Sequence, residues 1–168
     1  MFDHYGLARR HYERIAPDVR ANIEMFARGI NAYLASHSRE VPAWWGARQV
    51  DPFMAVAFGR WFMWGWPLGQ ALSDLRAAGV KPDLTADFRS SNEWVVGPAR
   101  SAVKAPILLI DPHLSWWGAQ RFWEFRVHAG AWHGSGFTLP GCPYIGLGHN
   151  DHVAWAMTTG GPDTADVY

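Results

Sequence analysis

The spacing of apolar residues changes partway along this chain, and that change limits the architecture more than any other feature. Val19, Ile23, Phe26, Ile30 and Tyr33 recur at intervals of four, three, four and three, the stripe of one helix face. A second helix is predicted from Asp51-Pro52, an N-cap residue followed by a proline suited to a first turn. It runs through Phe53, Val56, Phe58, Trp61 and Phe62, and Pro67 is expected to kink or end it. From about residue 91 the period drops to two. Trp123, Phe125 and Val127 alternate with Glu124, Arg126 and His128, which predicts a half-buried strand. Short runs at 94–96, 107–110, 144–147 and 153–157, bounded by Gly, Pro, Asn or Asp, predict further strands. Helices followed by an antiparallel meander indicate an α+β fold. The expected division is a helical region over 1–74, a linker over 75–90 that holds Gly79 and Pro82, and a strand region over 91–168.

Composition excludes several function classes. Fifteen Lys and Arg balance fifteen Asp and Glu, leaving no basic face for nucleic acid and no polybasic membrane patch. The longest apolar stretch, around 53–68, is interrupted by Arg60 and is short of the roughly 20 residues a membrane span needs. A single cysteine, Cys142, rules out an internal disulfide or a thiolate-rich metal site. The N-terminal sequence lacks the basic, apolar and small-residue pattern of a secretory signal. Eleven tryptophans suit either a heavy core or an aromatic cleft, and Trp94, Trp116, Trp123 and Trp155, placed on or near strands, are expected in the core. The strand histidines lack the helical spacing of a zinc site.

The residues that point to chemistry begin at Ser91-Asn92-Glu93-Trp94-Val95-Val96-Gly97. Asp111-Pro112-His113-Leu114-Ser115-Trp116 follows, then Pro140-Gly141-Cys142-Pro143, Gly146-Leu147-Gly148-His149-Asn150 and Val153-Ala154-Trp155-Ala156-Met157-Thr158. Each is weak alone, but as an ordered set they resemble the penicillin amidase family of N-terminal-nucleophile hydrolases, which includes penicillin, cephalosporin and acyl-homoserine-lactone acylases. Upstream, Arg28-Gly29-Ile30-Asn31-Ala32-Tyr33-Leu34 is similar to a phrase near the end of that family's α-subunit.

The resemblance implies that a precursor cuts itself before Ser91. A serine hydroxyl is a poor nucleophile without a base. The α-amino group released by the cut has a reference pKa of about 7.7–8.0, so one residue supplies both nucleophile and base. The resemblance further implies that His113 holds Ser91 and a bound water, that the Thr159 backbone N–H is one oxyanion donor, and that Asn150 is a turn-forming residue beside the site. It places Met63 and Trp66, with Trp64, near the acyl pocket, and makes Asp163, Ala165 and Asp166 ligands of a structural calcium, with Asp74 as a further candidate. Calcium takes six to eight oxygens, so two carboxylates and a carbonyl are about half a site. No organic cofactor is implied. The chain departs from the family at Ser90, where Gly is usual; a side chain there restricts the scissile peptide and adds a competing hydroxyl. On residue types alone, Ser90-Ser91-Asn92 also reads as a polar turn, His113 as a strand-end cap and the Asp163–Asp166 segment as a solvated loop.

The implied protein is an amidohydrolase with an αββα four-layer sandwich, of which this chain is expected to be an internal fragment, inactive alone. Its implied setting is an α/β heterodimer cut from one precursor, periplasmic or secreted, acting on a small N-acyl compound without nucleic acid or membrane partners. The rival reading is a non-catalytic aromatic-rich domain that binds sugars or peptides.

Overall fold

A computed structural model describes residues 2–83, 90–160 and 163–167. The part of the expected linker at 84–89, together with Gly161 and Pro162, lies outside the described residues. The chain divides into two compact units: 1–63 with 141–143, and 64–140 with 144–168.

In the first unit, α1 (His4–His11) is capped by the Asp3 carboxylate on the Gly6 N–H, and α2 (Pro17–Ser36) starts on a proline. The predicted stripe lies on α2, but only Ile23 of it is buried, beside Ala27; Val19 and Tyr33 are exposed. Asn31 clamps the chain ahead of the next helix, donating to the Val50 carbonyl and accepting from the Val50 N–H, both at 2.8 Å. Asp51 then caps α3 (Pro52–Ala77) through the Met54 N–H at 3.0 Å, as the Asp51-Pro52 pair predicts. The Tyr12 ring meets Phe53 edge-on with centroids 5.0 Å apart.

Pro67 does not end the helix, one of the two outcomes expected of it: α3 continues through it to Ala77, three residues into the expected linker. Pro67 forfeits its own N–H bond to the Met63 carbonyl and crowds that carbonyl with its ring, a local cost that the rest of a 26-residue helix outlasts. Buried Gly65 and Leu72 flank the proline.

In the second unit, β1 (Ser91–Val96) pairs antiparallel with β2 (Ile107–Pro112). The other sheet is the expected meander: β3 (Trp123–Ala129), β4 (Trp132–Thr138), β5 (Leu147–His149) and β6 (Ala154–Trp155) in consecutive order. β4 was not legible in the sequence because three of its seven residues, Gly134, Ser135 and Gly136, carry little side chain to alternate. The runs at 144–147 and 153–157 give shorter strands than expected, since 144–146 and 156–157 lie outside any ladder. Among the described residues no large side chain is fully buried, and Trp94, Trp116 and Trp123 are 67%, 84% and 60% exposed, not core. Trp94 on β1 and Trp123 on β3 stand on strand faces that described residues leave open, and Trp116 lies in the connection after β2. Trp155 is half-buried and donates its indole N–H to the Ile145 carbonyl at 3.1 Å. The described chain is α+β, and among the described residues no helix is long and apolar enough to cross a membrane.

Candidate active site

Ser91 opens β1, and its register partner is Pro112, the last residue of β2. One step beyond, the His113 N–H donates to the Ser90 carbonyl at 3.0 Å. Antiparallel pairs alternate between bonded and non-bonded, so with Ser90 and His113 bonded, the Ser91–Pro112 pair exchanges no ladder bond. Pro112 therefore loses nothing by having no N–H, and the donor falls on the carbonyl of the Ser90–Ser91 peptide.

The His113 ring gathers three side chains. Its Nε2 lies 3.0 Å from Asp111 Oδ2, its Nδ1 3.4 Å from Ser90 Oγ, and the Asn92 amide nitrogen 3.4 Å from Nε2 and 3.5 Å from Asp111 Oδ2. A carboxylate can only accept, so Nε2 carries the proton toward Asp111 and leaves Nδ1 to accept from the Ser90 hydroxyl. The bond from His113, with a smaller contribution from Asn92, holds the Asp111 carboxyl below its usual range. Asp111 had no assigned role in the sequence beyond its motif, and Ser90 was read only as a restricted scissile position and competing hydroxyl; the i, i+2 spacing of Asp111 and His113 was the available signal.

Ser91 itself is half-buried, and its carbonyl accepts from Thr158 Oγ1 at 2.5 Å. Among the described residues the ring of His113 thus bonds Ser90 and Asp111, while the Asn92 amide donates to Asp111. Thr159, half-buried, directly follows the residue that reaches the Ser91 backbone. Asn150 builds the β5–β6 turn: its side-chain oxygen accepts from the N–H groups of His152 and Val153, both at 2.8 Å, and its own N–H donates to the Val153 carbonyl. Met63 is 66% exposed and Trp66 half-buried. Neither belongs to the concave surface in the first unit, which is lined by Phe2, Asp3, His4, Tyr5, Ala57, Phe58 and Trp61.

Asp163, Ala165 and Asp166, the implied calcium ligands, lie in the described segment 163–167. One Asp163 oxygen accepts from the Gln70 amide at 2.8 Å, and among the described residues no three His, Cys, Asp or Glu side chains gather in a metal-binding cluster. The other Asp163 oxygen, Asp166 and the Ala165 carbonyl would supply about half of a calcium sphere.

The model of the penicillin amidase family matches residues 1–168, the whole chain. The chain belongs to the penicillin amidase family. Among its relatives is an acyl-homoserine lactone acylase PvdQ of Pseudomonas putida, 34% identical over 90 residues, 53% of this chain and 12% of that protein. An aculeacin-A acylase of Actinoplanes utahensis is 33% identical over 86 residues, 51% of this chain and 10% of the relative. An acyl-homoserine lactone acylase QuiP of Pseudomonas fluorescens is 32% identical over 81 residues, 48% of this chain and 10% of the relative. Each match spans only a small part of the relative, so a penicillin amidase assignment here describes a segment of such proteins.

Proposed function

We propose that this chain carries the self-cleaving junction and the nucleophile of an acylase that hydrolyses the amide of a small N-acyl compound. The observation that carries the reading is the His113 N–H on the Ser90 carbonyl at 3.0 Å, directly before Ser91. In self-cleavage the Ser91 hydroxyl attacks the Ser90 carbonyl carbon, and the negative charge that develops falls on the oxygen this N–H already holds. The C–N bond to Ser91 breaks, the Ser91 nitrogen takes up a proton, and the resulting ester is hydrolysed by water. Ser90 is left as a carboxylate, and Ser91 as a free hydroxyl with its own α-amine.

That amine then serves as the base for the same hydroxyl in amide hydrolysis, through an acyl-enzyme released by water. His113, oriented by Asp111, stands beside the new terminus, and the Thr159 N–H supplies one oxyanion donor. Other donors come from sequence beyond these residues, within an αββα sandwich shared by the two cleavage products. Relatives named as acylases of acyl-homoserine lactones and of aculeacin A support N-acyl substrates, and a periplasmic or secreted location follows the same resemblance. The test is turnover of a fluorogenic N-acyl amide by the full-length protein. Ser91-dependent release of the amine is expected; release unaffected by Ser91→Ala would defeat the reading.

A further inference from the structure

The β3–β4 hairpin turns on two residues, Gly130 and Ala131. Gly130 has a φ of +60°, the left-handed start that a type II′ turn requires. A two-residue loop closes on a hydrogen-bonded pair, here Ala129 with Trp132. The next pair, His128 with His133, is therefore a non-bonded one, in which cross-strand side chains stand closest. Both residues are exposed, and their Nδ1 atoms lie 2.8 Å apart. At that distance one Nδ1 donates its proton and the other accepts it, so the two rings already aim the same nitrogen at each other.

We propose that His128 and His133 form a binding site for a divalent late transition-metal ion, held across the hairpin through both Nδ1 atoms. Metal–imidazole bonds of about 2.0–2.1 Å put two ligand nitrogens about 2.8–3.0 Å apart at a right angle and about 3.3–3.4 Å apart at a tetrahedral one. The 2.8 Å separation suits the right angles of nickel(II) or copper(II) as it stands. Zinc would need the rings to spread by about half an ångström. As the ion enters, the proton between the rings moves to the outer nitrogen of its own ring, and both Nδ1 lone pairs go to the metal. Among the described residues no third His, Cys, Asp or Glu side chain joins the pair, so water completes the sphere. Calcium, which takes oxygen ligands, does not suit two imidazoles. A bound ion would staple β3 to β4, adding stability because it binds only the folded hairpin. The inference goes beyond the acylase reading and does not depend on it, since its test needs no substrate.

The closing experiment titrates tag-free full-length protein with nickel(II) chloride by calorimetry, for the parent, His128→Gln and His133→Gln, with calcium chloride as the control. Histidines elsewhere bind alike in all three proteins, so the difference between parent and variants is what is read. Changing a residue behind a metal ligand costs about 10–100-fold in affinity, and losing the ligand itself should cost at least that in either variant. Copper(II) at one equivalent gives a second reading that needs no variant: its electron paramagnetic resonance spectrum in the parent should show coupling to two imidazole nitrogens. A parent that binds no nickel, a nickel titration unchanged in either variant, or a copper spectrum without two nitrogens would overturn the proposal.

Discussion

The Thr158 hydroxyl donates to the Ser91 carbonyl at 2.5 Å, bridging sixty-seven residues of sequence. It ties the start of β1 to the chain leaving β6, and so fixes the backbone of the expected nucleophile against the residue that precedes its oxyanion donor. Thr158→Val keeps the shape and deletes the donor. An exposed hydrogen bond is worth about 0.5–1.5 kcal/mol, so self-cleavage should slow about 2- to 10-fold. Timed appearance of the two cleavage products measures this.

Asp111 is expected to set the acid limb of processing. Its carboxyl is held below the ordinary value of 3.8, chiefly by His113 and then by Asn92. A carboxylate with a depressed native pKa contributes fully above its unfolded value, and the contribution is lost as pH falls through the native one. Processing should therefore be constant near neutrality and fall only in strong acid. Asp111→Asn should remove that limb and slow processing at neutral pH, because either ring nitrogen of His113 can then face residue 111. A pH–rate profile unaltered by Asp111→Asn would contradict the orienting role.

Asp51 serves two partners, capping α3 through the Met54 N–H and accepting from the Tyr5 hydroxyl at 2.7 Å. Asp51→Ala should cost about 1–2 kcal/mol by chemical denaturation. The Tyr5 hydroxyl is pushed above its ordinary value, first by this bond. Its phenolate should therefore form at lower pH in Asp51→Ala, which an ultraviolet titration against Tyr5→Phe detects.

Gly136 of β4 faces Gly148 of β5 in register. A Cβ at Gly136 would stand 2.1 Å from the Leu147 carbonyl oxygen, and one at Gly148 2.2 Å from that of Ser135. Both obstacles are backbone, which cannot swing aside as a side chain can. Gly136→Ala should destabilise the meander by about 1–3 kcal/mol or more, read as faster amide exchange in β4 and β5.

Local signals were legible where the side chain itself does the work. Asp51-Pro52 marked the start of α3, the alternation of Phe125 and Val127 marked β3, and Asn150 was recognisable as a turn former. Pro67 did not end α3 because the cost of a proline is local and a 26-residue helix outlasts it. β4 was silent because its glycines serve backbone approach rather than burial. The tryptophans misled because period alone shows which face is apolar, not whether a layer covers it. At the site, the motif order pointed to Ser91 and His113. The pairings of Ser90 and Asp111 with His113, and of Gln70 with Asp163, depend on tertiary register that no single segment encodes.

The central claim is that the bond between Ser90 and Ser91 is the one this protein cuts. Intact-mass analysis of the purified full-length protein, with N-terminal sequencing of its products, tests it most directly. The account predicts two chains, the second beginning Ser91-Asn92-Glu93-Trp94, and a single uncut chain for Ser91→Ala. An uncut parent, a cut at another bond, or a Ser91→Ala protein still cut here would contradict it.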